Sequence, residues 1–234
     1  MSVQAVVFDL DNTLLLSEQC KNDTLREVVS RFEGGLEVLS TVPHDSRCAP
    51  PGVNVTRHTI FAAVARGLRE RGVVSQEEDA EQFGARLCED FSALLDERLP
   101  HAREVPGARE LLSKLQAANV PCYVNTATPA DAAQRFIEQL GWAQYFRAVL
   151  GAPSTKTDNL AAVAKAESLT PAQVVHVGDG DNDCLAAHAF GCHFIGVVLN
   201  GTPNHFSAPV SHLVSDMHEA SLKIFGLVGV NREF

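Results

Sequence analysis

The segment VQAVVFDLDNT, residues 3–13, joins a short apolar run to two carboxylates, Asp9 and Asp11, that stand two positions apart. A continuous apolar run of this length predicts a buried strand of a parallel sheet, so the two acids fall where the strand ends and a loop begins. Two carboxylates this close repel each other. The arrangement makes chemical sense if a cation neutralises the pair, one acid attacks an electrophile and the other transfers protons. We therefore interpret Asp9 and Asp11 as catalytic candidates rather than as a simple turn.

Composition limits the classes of protein that the chain can belong to. With 234 residues, 45% hydrophobic and 21% charged, it can form one full core and a second, smaller one. A formal charge of −10 and a pI near 5.3 argue against nucleic-acid binding. No apolar run approaches the roughly 20 residues of a membrane span, so we expect no membrane association. The six cysteines show no zinc-type spacing and the N-terminus does not resemble a signal peptide, which together favour a cytoplasmic location.

From residue 105 onward, helical and short apolar segments alternate. The pattern predicts strands over 120–125, 148–150, 174–177, 193–198 and 212–214, and helices over 107–119, 156–168, 182–190 and 217–225. Thr128 and Pro129 are expected to cap and open a further helix. This alternation indicates an α/β fold with a doubly wound, mostly parallel sheet covered by helices on both faces.

Between Leu16 and Arg103 the alternation disappears. Apolar residues instead recur at helical spacing over 20–39, 57–71 and 76–99. A structureless connection of this length inside a compact domain is improbable. The sequence therefore predicts a small helical domain at 17–103, inserted into an α/β core formed by 1–16 and 104–234.

Residues with chemical uses follow several of the predicted strands: Thr126, Lys156 and the segment GDGDND at 178–183. In a doubly wound sheet the carboxyl ends of the strands meet at one edge, where ligands bind. The excess of acids suits a hard cation such as Mg²⁺. A hydroxyl, a helix N-terminus and a lysine suit a phosphate group. Phosphoryl transfer depends mainly on positioning and charge neutralisation, which this set of residues can supply.

These four motifs, DLDNT, Thr126, Lys156 and GDGDND with its GDxxxD spacing, resemble in order those of the haloacid dehalogenase superfamily of phosphohydrolases. The resemblance spans nearly the whole chain and is to the branch with a helical cap inserted after the first strand. It implies that Asp9 is the nucleophile that forms an aspartyl-phosphate. It also implies that Asp11 protonates the leaving oxygen and then activates water.

The resemblance extends to the ligands of the phosphate and the metal. It implies that Thr126 and Lys156 hold the phosphoryl oxygens. It further implies that Mg²⁺ binds Asp9, the main-chain carbonyl of Asp11 and Asp179, with Asp183 either as a ligand or just outside the ligand shell. Two departures are Asn125, polar where the family commonly has an apolar residue, and Thr157-Asp158 after Lys156, where proline is frequent. The role of Asp181 stays open.

The expected function is that of a Mg²⁺-dependent phosphatase acting on a small phosphorylated metabolite. Asp11 favours this chemistry over dehalogenation, because an alkoxide leaving group needs a proton and a halide does not. A sugar phosphomutase of the same superfamily is the alternative enzyme. The non-enzymatic alternative is a phosphoacceptor or binding module similar to a signalling receiver domain, which the large insert disfavours. The sequence does not determine the oligomeric state.

Overall fold

The computed structural model describes residues 2–43, 56–75, 79–199 and 204–229. The chain forms two compact units. One consists of Met1–Ser17 and Pro100–Phe234, and the other of Glu18–Leu99. No helix in the described ranges combines the length and the apolar character that a membrane span requires.

The first unit contains a six-stranded sheet. Its strands are β1 (Ala5–Phe8), β2 (Cys122–Pro129), β3 (Ala148–Ala152), β4 (Val174–Gly178), β5 (His193–Val197) and β6 (His212–Val214). The order across the sheet is β3-β2-β1-β4-β5-β6, and every neighbouring pair is parallel. The prediction of a doubly wound, mostly parallel sheet is confirmed. All four residues of β1 are buried, as expected for a central strand covered on both faces.

The helices of the described residues are, in chain order, α1 (Ser17–Ser30), α2 (Gly35–Thr41), α3 (Arg57–Glu70), α4 (Ala80–Arg98), α5 (Ala108–Ala117), α6 (Ala130–Gln139), α7 (Lys156–Glu167), α8 (Asp181–Phe190) and α9 (Met217–Val228). Apart from Ser17, which opens α1, the first four belong to the second unit. Residues 76–78, where the helical segment 76–99 was expected to begin, lie outside the described residues.

One face of the sheet fixes the position of α7. Val7 of β1 and Tyr123 of β2 form a buried cluster with Leu160 and Val163 of the helix. Strand residues two apart point to the same face, so Asn125 faces the same helix as Tyr123. The packing therefore brings the first turn of α7 against the end of β2.

The helical spacing over 20–39 does not produce one helix. The first helix ends at Ser30 and the second begins at Gly35, because Gly34 has a φ of +68°, which a right-handed helix cannot include. A Cβ on Gly35 would lie 1.9 Å from the carbonyl oxygen of Val29, so this turn requires glycine. The apolar spacing indicated the buried faces correctly and missed the break between them.

The expected cap at Thr128 is also wrong. Strand β2 continues to Pro129, which is the N-cap of α6 and makes no side-chain cap hydrogen bond. The Thr128 side chain therefore does not start this helix. Pro129 suits this position because its ring fixes φ and because it has no N–H of its own that would need a hydrogen-bond partner.

Candidate active site

Asp9 directly follows β1, at the carboxyl end of the central strand. Its N–H donates to the carbonyl oxygen of Val177 at 2.8 Å, which continues the pairing of β1 with β4. The residue is only 4% exposed. The carboxylate is therefore held on the sheet edge in a largely desolvated position.

Asp11 lies in the loop that turns back after this strand. The loop passes through Asn12, whose φ of +52° is left-handed, a conformation that asparagine tolerates better than most residues. The N–H of Asn12 donates to the carbonyl oxygen of Leu15 at 2.7 Å. The carboxylate of Asp11 accepts a hydrogen bond from the hydroxyl of Ser17. Contacts within the loop thus hold the Asp11 side chain.

Lys156 opens α7, where Thr155 caps the helix by accepting from the N–H of Asp158 at 3.1 Å. The lysine ammonium donates to Oδ1 of Asp9 at 2.7 Å and to Oδ1 of Asp183 at 2.5 Å. Burial lowers its pKa, but the charges of these two carboxylates raise it by more, so the net shift is upward. A lysine in the first helical turn opposes the helix dipole, and the two carboxylates compensate for that cost. Lys156 therefore remains charged and links two elements of the site.

Asp183, on α8, is fully buried among hydrogen-bond donors. Its Oδ1 also contacts Nε2 of His176 at 2.8 Å, and its Oδ2 accepts from the N–H of Gly180 at 3.1 Å. Burial raises the pKa of Asp183, but Lys156 and His176 together lower it further than burial raises it. Both oxygens of Asp183 are therefore engaged, and one of them accepts from Lys156.

His176 lies within β4, where it is the one polar residue among apolar neighbours. It is buried, and its Nδ1 contacts the carbonyl oxygen of Val7 at 3.1 Å. Its reach to Asp183 was not foreseen. The only signal in the sequence was a polar residue in an otherwise apolar strand that leads into GDGDND.

Asp179 completes a cluster of acids at this edge. Burial and the charge of Asp183 raise its pKa to about 6, despite a hydrogen bond from Asn12. The same two causes raise the pKa of Asp9 well above its usual range. Without a metal ion, Asp9 and Asp179 are therefore harder to ionise than ordinary aspartates.

The donor set fits a hard divalent cation. One oxygen from each of Asp9, Asp179 and Asp183 lies within 4.8 Å of the others. Opposite ligands of one Mg²⁺ are about 4.2 Å apart, since each Mg–O bond is about 2.1 Å. Small side-chain movements would bring these oxygens into coordination distance, and the cation would relieve the repulsion that raises the pKa values of Asp9 and Asp179.

Thr126 lies near the end of β2 and is 2% exposed. The strand register pairs Phe8 with Val124, so Thr126 stands two residues beyond a strand neighbour of Phe8, at the edge that holds Asp9. Its hydroxyl accepts from the N–H of Thr128 at 3.2 Å. The structure thus places the sequence-predicted residues at one sheet edge, and their roles stay a prediction.

Asp181, whose role the sequence left open, anchors a loop. It is the first residue of α8 rather than its cap. Its carboxylate accepts from the N–H of Ser207 at 2.7 Å and from the Ser207 hydroxyl at 2.8 Å. These contacts tie the segment before β6 to the start of α8.

Comparisons with known proteins agree with this fold. The family model described as haloacid dehalogenase-like hydrolase matches residues 3–191. A phosphoglycolate phosphatase of Neisseria meningitidis is 30% identical over 202 residues, which cover 84% of this chain and 81% of the relative. A phosphoglycolate phosphatase of Escherichia coli is 33% identical over 97 residues, 39% of this chain and 38% of the relative.

Solved structures share the fold over almost the full chain. A predicted phosphoglycolate phosphatase from Haemophilus somnus superposes with a TM-score of 0.65 at 20% identity, covering 96% of this chain and 98% of the other. A Thermotoga maritima protein named for β-phosphoglucomutase gives 0.70 at 20% identity, covering 96% and 99%. At these identities the superpositions establish the fold alone.

The parallel six-stranded sheet and the family match define a hydrolase of the α/β class. The chain belongs to the haloacid dehalogenase-like hydrolase family. The resemblance drawn from the four motifs is therefore confirmed, and so is the expectation of a phosphatase of this superfamily.

Proposed function

We propose that the protein is a Mg²⁺-dependent phosphatase that hydrolyses a small phosphate monoester through an aspartyl-phosphate on Asp9. The observation that carries the proposal is the buried contact of Lys156 with Asp9. It sets a permanent cation beside a carboxylate that ends the central strand. A phosphoryl group approaching Asp9 at this edge would meet Lys156 as its first counter-charge.

In the first step, a carboxylate oxygen of Asp9 attacks phosphorus, and the bond between phosphorus and the ester oxygen breaks. Asp11 donates a proton to that oxygen, so the product leaves as an alcohol. In the second step, Asp11 takes a proton from water, and the water oxygen attacks phosphorus. The bond from phosphorus to Asp9 breaks, which releases inorganic phosphate and restores both carboxyl groups.

The other residues of the site would bind the phosphoryl group and the metal ion. Thr126 and Lys156 would hold the phosphoryl oxygens. Mg²⁺ would be held by Asp9, Asp179 and the main-chain carbonyl of Asp11, and it would supply charge neutralisation at the phosphoryl oxygens. An oxygen of Asp183 also lies within 4.8 Å of oxygens of Asp9 and Asp179. We nevertheless assign Asp183 to the surroundings of the metal, because its oxygens already accept from Lys156, His176 and Gly180.

We further propose that the substrate is a small phosphorylated acid of the phosphoglycolate type. The support is the Neisseria meningitidis relative, which is named for that activity and matches 84% of this chain. We also propose that residues 17–103 act as a cap that selects the substrate, the role implied by the resemblance to cap-bearing phosphohydrolases.

The test is release of inorganic phosphate from 2-phosphoglycolate, glucose 1-phosphate, glucose 6-phosphate and p-nitrophenyl phosphate, each with Mg²⁺ and with EDTA. We expect turnover only with Mg²⁺ and the highest kcat/KM on 2-phosphoglycolate. Conversion of glucose 1-phosphate into an isomeric sugar phosphate would identify a phosphomutase instead. A single phosphorylation without turnover would identify a phosphoacceptor module. Equal rates with and without Mg²⁺ would refute the metal requirement.

A further inference from the structure

Two buried amides connect the end of β2 with the first turn of α7. Asn125 is fully buried and Asn159 is 4% exposed. The side-chain N–H of Asn125 donates to the main-chain carbonyl of Lys156 at 3.0 Å. The side-chain N–H of Asn159 donates to the side-chain oxygen of Asn125, also at 3.0 Å. The pair therefore forms a chain of hydrogen bonds from α7 to the strand and back to α7.

The orientation of these amides follows from their partners. A main-chain carbonyl only accepts, so the NH₂ group of Asn125 must face Lys156. Its oxygen is then left to face Asn159, which must donate. Asn159 lies three residues after Lys156, so the two share one face of the helix. Both contacts thus act on the same helical turn.

Apolar side chains lie in the same layer between β2 and α7. Tyr123, on the same side of β2, and Leu160 of α7 belong to one buried hydrophobic cluster. Apolar side chains at 125 and 159 would bury area without desolvating two amides. Packing alone would allow the helix to slide or rotate slightly, whereas two directional hydrogen bonds define its height and rotation. The two amides therefore add directional contacts between β2 and α7 that apolar packing would lack.

We propose that Asn125 and Asn159 are positioning residues that set the first turn of α7 and so direct the ammonium of Lys156 towards the phosphoryl group. Asn125 directly precedes Thr126 in the chain, so the pair also fixes the spacing between the two candidate phosphate ligands. The inference rests on the proposed function, because it assumes that Lys156 holds a phosphoryl oxygen. It assigns a purpose to Asn125, the polar residue by which this chain departs from the family pattern.

The test compares three variants, Asn125→Leu, Asn159→Leu and the double variant, with wild type. Leucine has the same branching as asparagine but no hydrogen-bonding group, so each change removes an amide and leaves an apolar side chain in its place. Each single change leaves one buried amide without its partner and should lower the melting temperature. The double change removes both amides and should recover most of that loss. Activity should not recover, because the directional link between β2 and α7 is gone.

We expect the double variant to have a kcat about 10- to 100-fold below wild type, the range expected for a small misplacement of a catalytic group. Its inhibition constant for inorganic phosphate should rise in parallel. The control is Val163→Ala, a buried change on the same helix that lowers stability without touching the amides. Wild-type kcat and phosphate inhibition in the double variant would overturn the proposal.

A further readout separates this proposal from the proposed function. Acetylation of Lys156 by acetic anhydride, followed by mass spectrometry and compared with the exposed Lys165, measures how firmly the ammonium is held and requires no enzymatic activity. We expect the ratio of Lys156 to Lys165 labelling to rise several-fold in the double variant. If wild type hydrolyses no ester but this ratio rises, the proposed function fails and the positioning role stands. An unchanged ratio refutes the positioning role whether or not the enzyme is active.

Discussion

Replacement of Lys156 by methionine tests directly whether the lysine charge stabilises the buried carboxylates of Asp9 and Asp183. Methionine keeps the length and the packing of the side chain but removes the charge. The change leaves Asp9 and Asp183 buried without the cation that contacts both. We expect the Lys156→Met protein to fold, with a lower free energy of unfolding and a penalty that depends on pH.

The magnitude follows from the burial of the contacts. The side chains are 10% exposed for Lys156, 6% for Asp9 and 1% for Asp183, so solvent screens them little. Removal of one partner of such a pair costs about 3–5 kcal/mol at pH 8. Lys156 is among the causes that lower the pKa of Asp183, so the stability it provides is present at high pH and is lost as pH falls. In the variant, burial raises the pKa of both carboxyl groups, and protonation relieves the penalty by up to about 1.4 kcal/mol per pH unit as pH falls.

The assay uses Trp142, which is the single tryptophan, is fully buried and lies in the same unit as the site. Urea unfolding with EDTA present, followed by its fluorescence, should show a midpoint roughly 2 M lower at pH 8 for an m-value of about 2 kcal/mol/M. The difference between the urea midpoints of wild type and Lys156→Met should become smaller towards pH 5. Lys165→Met, an exposed change on the same helix, is the control and should shift stability by no more than about 0.5 kcal/mol. A Lys156→Met midpoint equal to wild type at pH 8, or a gap that does not vary with pH, would refute the reasoning.

Three further predictions concern the acids. Asp9→Asn should lower phosphate release by at least about a thousandfold while the fluorescence of the folded protein is kept, and undiminished release would disprove the nucleophile. Mg²⁺ affinity, measured by calorimetry, should fall as pH drops below about 6, because the raised pKa of Asp179 lets protons compete with the metal there; a pH-independent affinity between 5 and 8 would contradict this. Asp181→Ala should cost about 1–2 kcal/mol of unfolding free energy through the lost contacts with Ser207 and should leave kcat within about threefold of wild type, whereas a larger loss of kcat at full stability would place Asp181 in the chemistry.

The sheet could be predicted from the sequence because its strands are short, buried apolar runs and several of its helices bury one apolar face, so hydrophobic periodicity identifies both. Once the sheet is parallel, its geometry brings the strand ends to one edge. This is why residues as distant as Asp9 and Lys156 could be expected to meet before any coordinates were known.

The contacts that periodicity cannot predict are those that depend on register and rotation. His176 reaches Asp183 because of where β4 lies against α8, and Asn125 reaches α7 because of how that helix is rotated. In the sequence each is only a polar residue inside an apolar strand. The break at Gly34 was missed for a different reason, since apolar spacing reports which face is buried and not whether the backbone continues.

The cluster of acids at the sheet edge favours binding of a metal cation. Asp9, Asp179 and Asp183 cluster at this edge with the ammonium of Lys156 beside two of them, and a phosphate ester would add further negative charge. Protonation of Asp9 would relieve the repulsion, as its raised pKa indicates, but a protonated carboxyl group is a poor nucleophile. A divalent cation removes the repulsion while leaving Asp9 ionised. We infer that the proposed metal requirement arises from this conflict. The site needs enough positive charge to admit the substrate and cannot obtain it from protons without losing the attacking group.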